Sequence, residues 1–183
     1  SSVRTVFVPN FGLFIKLSLD VRITNFIRNN PPSHLARAMD ASDYLCQHQL
    51  CDTISGLLVL PELGAQSLAI TGLEASFAIL YRQGLTPEQT RNTRVVASLV
   101  EECPLTGQLP LAEFICKAAA DHDTTPNTDF VCSWWSAYVY ASLLPALQLF
   151  AKSGVSLEAH LQNSLMLFAD GWPKTLVVRD MEG

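Results

Sequence analysis

The sequence has little charge and no basic excess. Of its 183 residues, 12 are Lys or Arg and 17 are Asp or Glu, and the formal net charge is −5. A surface that binds nucleic acid needs a basic face, so we expect no nucleic-acid partner. Any phosphate chemistry must therefore depend on a local cluster of cations.

Three nucleotide and nucleophile motifs are absent. Neither G-x-x-x-x-G-K-[ST] nor G-x-G-x-x-G occurs, so a bound nucleotide would have its phosphates held by side chains rather than by a glycine-rich loop. No G-x-S-x-G elbow supports a serine nucleophile. The chemistry must be sought elsewhere.

The cysteines form no recognisable site. They are five, an odd number, without C-x-x-C spacing: Cys46, Cys51, Cys103, Cys116 and Cys132. This pattern favours neither a zinc site nor a disulfide framework. We expect reduced, buried thiols in a cytoplasmic protein.

Hydrophobic residues make up 49% of the chain, and residues 131–151 carry no formal charge. Such a segment is long enough to span a bilayer, but its serines and Pro145 favour a buried helix kinked at the proline. Membrane insertion is the alternative, and we expect no membrane partner. The chain begins at Ser1 and ends after Asp-Met-Glu-Gly, from which we expect a piece of a longer protein whose other segments cover apolar surface.

Hydropathy patterns predict an α+β fold. The expected elements are strands over 3–9 and 13–20, an amphipathic helical turn over 21–28, a helix over 33–50 capped by Ser33, strands over 54–60 and 73–82, helices over 94–101, 111–120 and 131–151, and a terminal β-hairpin. Residues 1–84 are expected to form an antiparallel sheet with helices, and residues 85–183 a helical region closed by the hairpin. The strand over 13–20 alternates, with Ile15, Leu17 and Leu19 on one face and Lys16, Ser18 and Asp20 on the other. The helical turn is expected to bury Ile23, Phe26 and Ile27. Arg82 ends one strand and either points into a site or is solvated.

The hairpin is predicted from the Asp170-Gly171 step between apolar runs. It would bring Asn163, before its first strand, close to Asp180, after its second. With Glu158, these residues offer three oxygen ligands suited to Mg²⁺ that binds together with phosphates. The alternative is that these residues cap a turn or are solvated.

Basic residues gather at the head of the chain. Strand and helical-turn geometry can aim Arg4, Lys16 and Arg28 into one space, with Thr24 and Arg28 one helical turn apart. Hydroxyls lie beside them at Ser2, Thr5 and Thr24. Ammonium, guanidinium and hydroxyl groups together suit a polyphosphate or polycarboxylate. The alternative is that the cations decorate exposed strands. Together with His160 and the oxygen ligands near the end of the chain, these residues are suited to binding ATP and Mg²⁺.

Four segments resemble signatures of the siderophore synthetases that work independently of non-ribosomal peptide synthetases, of the aerobactin-synthase type. They are Ser2-Val-Arg-Thr5, Lys16-Leu-Ser-Leu-Asp-Val-Arg-Ile-Thr24-Asn-Phe-Ile-Arg28, Glu158-Ala-His-Leu-Gln-Asn163 and Val178-Arg-Asp180. They occur in the family's order. The resemblance covers the middle of a longer enzyme.

The resemblance implies a hand-shaped enzyme, with residues 1–84 as fingers and residues 85–183 as the start of the palm. It also implies ATP and Mg²⁺ as cofactors in the adenylation of a carboxylate, commonly citrate. An amine or hydroxyl then attacks the adenylate to form part of a siderophore. The oligomeric state stays open, with a homo-oligomer among the alternatives.

The resemblance assigns roles by position. Phosphate contacts fall on Ser2, Arg4, Thr5 and Lys16. Contacts to the α-phosphate and the substrate carboxylate fall on Arg28 and His160, and substrate-side contacts on Thr24 and Gln162. Metal and nucleotide ligands fall on Glu158, Asn163 and Asp180. Arg28, His160 and Thr24 are thus the expected catalytic group.

Two other functions stay open. Protein kinases place a metal-binding Asn and Asp in a similar order, which makes a kinase-like phosphotransferase one alternative. A non-catalytic module that retains the fold is the other. The 183 residues alone are expected to be inactive.

Overall fold

The computed structural model describes residues 4–180, so the predicted phosphate contact at Ser2 lies outside the described residues. The described chain forms two compact units. The first comprises residues 4–49, 60–87 and 180, and the second comprises residues 50–59 and 88–179. The division of the chain into functional regions 1–84 and 85–183 stays a prediction.

The described residues of the first unit form one long α-helix, a short 3-10 helix (Pro9–Phe11) and two antiparallel sheets. Its elements are β1 (Thr5–Val8), β2 (Leu13–Lys16), β3 (Arg22–Ile23), β4 (Phe26–Ile27), α1 (Pro32–Gln47), β6 (Glu62–Gln66) and β7 (Ile79–Gln83); β5 belongs to the second unit. The strand order of the larger sheet is β1-β2-β7-β6. Leu35 and Ala38 of α1 pack with Ala78 and Leu80 in the core.

The strand registers place polar side chains on one face of this sheet. Thr5 pairs with Lys16, Phe14 with Arg82, and Glu62 with Arg82. Residues directly opposite each other in antiparallel strands share a face. The alternation predicted for β2 is confirmed, but the face carrying Lys16 is the buried one, because Lys16 is only 5% exposed. The alternative that Lys16 decorates an exposed strand is therefore wrong.

The predicted helical turn over 21–28 is wrong. Strands β3 and β4 form a two-stranded ribbon there, with Arg22 opposite Ile27. Thr24, at the tip, has φ +58°, a left-handed conformation that cannot continue a right-handed helix. Phe26 is 66% exposed, not buried as expected. Thr24 and Arg28 are therefore not stacked on one helical face.

Two more differences have local causes. Helix α1 has Pro32 in its first turn with Pro31 as N-cap, because proline suits the first helical position; Ser33 is not the cap. Strand β6 was not predicted, because Pro61 and Gly64 resemble strand breakers. A bulge between Glu62 and Gly64 accommodates the glycine.

The second unit combines a four-stranded sheet with helices. Its elements are β5 (Leu57–Val59), α2 (Pro87–Asn92, of which Pro87 falls in the first unit), β8 (Thr93–Val95), α3 (Val96–Leu99), α4 (Pro110–Asp121), α5 (Thr128–Ser153), β9 (Ser164–Ala169) and β10 (Trp172–Val178). The strand order is β5-β10-β9-β8, with β5 parallel to β10 and the other pairs antiparallel. Thus the predicted hairpin is the centre of a sheet.

The hairpin prediction is confirmed. Asp170 and Gly171 have φ +50° and +77°, the two positive values that a type I′ turn requires. Trp134, 1% exposed, donates from Nε1 to the Gly171 carbonyl at 2.9 Å. The turn is therefore held from α5 as well as by its own backbone.

Helix α5 is confirmed, but its burial is only partial. Asn127 caps it by accepting from the Phe130 amide at 2.9 Å, and Pro145 lies inside it. Trp134 and Leu149 are buried, whereas Tyr140 is 69% and Leu147 61% exposed. Within the described part of the chain, α5 is the one helix long and apolar enough to cross a membrane, a test that core helices of soluble proteins also pass.

Candidate functional site

The first unit contains a buried charge cluster formed by Arg4, Lys16, Glu62, Arg82 and Asp180. Its centre is the pair between Lys16, at the end of β2, and Asp180. Lys16 Nζ lies 2.9 Å from Asp180 Oδ1 and 3.0 Å from Oδ2. The side chains are 6% and 16% exposed, so the pair is largely withdrawn from water.

Arg82 of β7 bridges the two carboxylates of the cluster. Its Nε donates to Glu62 Oε1 at 3.0 Å, its Nη2 donates to the same oxygen, and Nη2 also lies 3.4 Å from Asp180 Oδ1. The side chain of Arg82 is 2% exposed and that of Glu62 is fully buried. A charge buried to this degree needs a partner, and Glu62 and Arg82 supply it to each other.

Two further contacts fix the frame of the cluster. The buried Ser42 of α1 accepts from the Glu62 amide at 2.8 Å. Arg4 donates from Nη1 to the Asn29 carbonyl and to Asn30 Oδ1, both at 2.8 Å. Asn30 in turn donates to the Lys16 carbonyl at 3.3 Å. Arg4 and Lys16 are thus joined through one buried amide.

The cluster favours an anion. Among the described residues, the cluster brings three cations, Arg4, Lys16 and Arg82, together with two carboxylates, Glu62 and Asp180. Burial acts to raise the pKa of Asp180, but Lys16 and Arg82 outweigh it and hold the pKa below its ordinary value. Burial raises the pKa of Glu62 against the opposing effect of Arg82. A polyphosphate or polycarboxylate therefore fits these residues better than a cation does.

A bare divalent cation does not fit the cluster. Both Asp180 oxygens accept from Lys16, and within residues 4–180 no group of three or more His, Cys, Asp or Glu could hold a metal. Mg²⁺ commonly uses one or two carboxylates plus the oxygens of bound phosphates. Asp180 fits that mode, with phosphate supplying the other ligands.

The second unit carries a separate polar loop over residues 158–163. Glu158, His160 and Gln162 are exposed, and Asn163 is half-buried. The Gln162 amide donates to His160 Nδ1 at 3.2 Å, and Asn163 Nδ2 lies 3.2 Å from His160 Nε2. The His160 ring is therefore oriented by its own loop.

The backbone of this loop is tied to the sheet of its unit. The Arg179 amide donates to the Asn163 carbonyl at 3.1 Å, which extends the β9–β10 pairing by one residue. Arg179 Nη2 donates to the Gln162 carbonyl at 3.2 Å. The Ala97 amide donates to the Leu161 carbonyl at 3.0 Å. The metal site predicted from Glu158, Asn163 and Asp180 stays a prediction.

The other predicted site residues that the structure describes in the first unit, Thr5, Thr24 and Arg28, are not members of the buried charge cluster. Thr5 is half-buried opposite Lys16. Thr24 is exposed at the β3–β4 tip, where its hydroxyl donates to the Ile23 carbonyl at 2.5 Å. Arg28 is half-buried, and its guanidinium carbon lies 5.9 Å from the centre of the Phe26 ring. The Nε of Arg28 is buried and has no hydrogen-bond acceptor among residues 4–180.

Sequence reasoning missed Glu62 and left Arg82 undecided. The structure places Arg82 inside the cluster, not in solvent. A signal existed for the pair: an acidic and a basic residue occur near the ends of two apolar runs separated by a loop. Without the unpredicted β6, nothing showed that the two residues face each other.

Comparison with known proteins agrees with the fold. The family model described as "IucA / IucC family" matches residues 1–101, more than half of the chain. The chain belongs to the IucA / IucC family. A second model, "Ferric iron reductase FhuF-like transporter", matches residues 132–183.

Several curated relatives are named as ligases or synthases that act on citrate or form a citryl product. The chain is 32% identical to the L-2,3-diaminopropanoate–citrate ligase of Staphylococcus aureus over its whole length, which is 32% of that protein. It is 25% identical to the N(2)-citryl-N(6)-acetyl-N(6)-hydroxylysine synthase of Vibrio mimicus and covers 31% of it. The chain thus spans about a third of these relatives.

Solved structures match the whole fold. The ATP-bound aerobactin synthetase IucA of Klebsiella pneumoniae superposes with a TM-score of 0.84 at 25% identity, covering 100% of this chain and 34% of that one. The petrobactin biosynthesis protein AsbB of Bacillus anthracis superposes with a TM-score of 0.75 at 18% identity, covering 99% and 30%. The latter likeness concerns the fold alone.

Proposed function

We propose that the protein is an ATP-dependent ligase of siderophore biosynthesis, which adenylates citrate or a citrate derivative and joins it to an amine or hydroxyl. The observation that carries the proposal is the buried charge cluster, with Lys16, Arg4 and Arg82 around Asp180. Family membership and the citrate-ligase relatives support the reaction class.

The cluster suits the phosphates of ATP. Lys16 is a point charge at the end of β2 and can meet an outer phosphate when it leaves Asp180. Thr5 lies opposite Lys16 in the β1–β2 pairing, and Arg4 precedes Thr5 in the sequence. Ser2 is proposed as a further phosphate contact. Asp180 would bind Mg²⁺ together with phosphate oxygens, and Glu158 and Asn163 are the other proposed oxygen ligands.

The proposed reaction has two balanced steps. A carboxylate oxygen attacks the α-phosphorus, and pyrophosphate leaves. The amine or hydroxyl then attacks the carbonyl carbon, AMP leaves, and one proton is lost from the nucleophile. Arg28 and His160 are proposed to stabilise charge at the α-phosphate and carboxylate. Thr24 and Gln162 are proposed to contact the substrate.

The proposed setting follows from this chemistry. The partners are small molecules, with no nucleic acid and no membrane, and the proposed location is the cytoplasm. The reaction needs ATP and metabolic carboxylates. It uses no disulfide, and the five cysteines are all free thiols. The expectation that they are buried is wrong, because three are exposed and two are half-buried.

Product identification tests the proposal. The full-length protein carrying this chain is incubated with ATP, Mg²⁺, citrate and a diamine, and the nucleotide products are separated. We expect AMP and pyrophosphate, dependent on citrate. ADP would instead support the kinase-like alternative, and no turnover with a range of carboxylates would support the non-catalytic alternative.

A matched pair of variants ties the activity to the cluster. Lys16→Met removes a buried ammonium, whereas Lys117→Met removes an exposed one whose Asp121 partner lies 2.6 Å away. We expect AMP formation to fall strongly in the first variant and to stay at the wild-type level in the second. Equal activity of the two variants would contradict the role proposed for the cluster.

A further inference from the structure

Asp180 and a nucleotide phosphate would compete for the same ammonium. Lys16 Nζ lies within 3.0 Å of both Asp180 oxygens, so its hydrogen bonds to the carboxylate must weaken before it can bind phosphate. An isolated carboxylate that loses its counter-ion in a buried site is costly. When no metal ion is bound at Asp180, the release of Lys16 therefore requires another cation beside this carboxylate.

Arg82 is placed to be that cation. Its Nη2 lies 3.4 Å from Asp180 Oδ1, longer than the 2.9 Å of the lysine contact to the same oxygen. The contact is thus secondary while Lys16 is present and can shorten when Lys16 departs. A guanidinium has five donors in a fixed fork, so Arg82 can hold Asp180 without releasing Glu62.

Glu62 keeps the guanidinium in this position. It accepts from both Nε and Nη2 of Arg82 through one oxygen, and its backbone is anchored by Ser42. Glu62 Oε2 is buried and accepts no hydrogen bond from residues 4–180. The carboxylate therefore has Arg82 as its counter-ion, and Arg82 cannot move away without leaving a buried charge uncompensated.

We propose that Arg82, held by Glu62, is a positioning residue that keeps Asp180 paired when Lys16 turns to the nucleotide. The inference rests on the proposed function for the identity of the anion. Neither Arg82 nor Glu62 belongs to the four sequence segments that resemble the family's signatures. Arg82 is not proposed to touch the nucleotide.

A double-mutant cycle between Arg82 and Asp180 tests the proposal. ATP binding to the full-length protein is measured by calorimetry in EDTA, so that no metal contributes. Arg82→Lys keeps the charge beside Glu62 but cannot bridge two carboxylates with a planar fork. Asp180 then depends on Lys16 alone, and we expect ATP to bind about tenfold more weakly, the equivalent of one charge-assisted hydrogen bond.

The decisive comparison is in the Asp180→Asn background. With the competing carboxylate removed, Lys16 is available to phosphate regardless of residue 82. We expect Arg82→Lys to change ATP affinity by less than about twofold there. A merely structural role of Arg82 would weaken binding equally in both backgrounds, and this result would overturn the proposal.

Folding and function are separated by two controls. If Arg82→Lys does not fold, Glu62→Asp, which keeps both charges but draws Arg82 back, replaces it in the cycle. Failure of both variants to fold would show that the pair is needed for the fold itself and would overturn the positioning role. If the wild type binds neither ATP nor tripolyphosphate, the proposed function fails, which differs from equal effects in the two backgrounds.

Discussion

Lys16→Met and Asp180→Asn, made singly and together, measure how strongly the pair at the centre of the buried charge cluster stabilises the first unit. Each single change leaves a buried charge with weaker partners. The double change leaves neither charge, so it should cost less than the sum of the two single changes. The Arg82 and Glu62 pair remains in place in all three variants.

The structure sets the magnitude. Breaking a fully buried ion pair from one side costs about 3–5 kcal/mol. Asp180 is 16% exposed and keeps the Arg82 contact at 3.4 Å, so we expect Lys16→Met to cost less, about 2–3 kcal/mol. The coupling energy between the two positions should be about 2 kcal/mol.

Hydrogen exchange of the full-length protein is a suitable assay, because it reports the local opening free energy of strands β2 and β7 separately from other regions. The exposed pair of Lys117 and Asp121 is the matched control, with side chains 62% and 36% exposed. Its cycle on α4 should give at most about 1 kcal/mol. Equal coupling energies for the two pairs would refute the claim that burial makes the Lys16 pair strong.

Three further predictions concern other parts of the chain. Arg28→Ala should lower kcat of the full-length enzyme by about 10²–10³, with incomplete rescue by Arg28→Lys; a raised KM for ATP with kcat intact would reduce Arg28 to a binding cation. Gly171→Ala should destabilise the second unit by about 2–4 kcal/mol, because a Cβ there would lie 2.7 Å from Ala118 at a positive φ; unchanged exchange in β9 and β10 would contradict this. The pKa of Asp180 is lowered from 3.8 in the folded state, so its contribution to stability is present above that value and is lost as pH falls through the lower, folded pKa. Acid titration monitored by circular dichroism should therefore show a steeper loss below about pH 4 for the wild type than for Asp180→Asn; identical slopes would show that the pairing is absent in solution.

The elements predicted well are those whose signal is local. The Asp170-Gly171 hairpin follows from two residues that tolerate positive φ, and helix α5 follows from a long uncharged apolar segment. Both need no knowledge of distant segments. The alternation in β2 was also correct, because the period of two is a property of the strand itself.

The elements predicted badly depend on distant partners. Residues 21–28 have an amphipathic pattern, but the chain forms the β3–β4 ribbon there with Phe26 exposed. Strand β6 follows Pro61 and contains Gly64, and it is stabilised by pairing with β7 across a bulge. Tertiary pairing overrides local preference at such positions.

The candidate site shows the same division. Lys16 and Asp180 could be named from motifs, although they are far apart in sequence and nothing local predicts that they pair. Glu62 could not be named, because its role depends on the register that sets it opposite Arg82. The residues proposed to contact ligands carry recognisable motifs, whereas those proposed to position them are found through the fold.

Oxygen transfer from the substrate carboxylate tests the central claim most directly. The full-length protein is supplied with ATP, Mg²⁺, an amine and citrate labelled with oxygen-18 in its carboxylates, and the products are analysed by mass spectrometry. An acyl-adenylate requires that one labelled oxygen leave with AMP. We predict labelled AMP and unlabelled pyrophosphate; label in inorganic phosphate with ADP as the nucleotide product, or label in neither, would contradict adenylation.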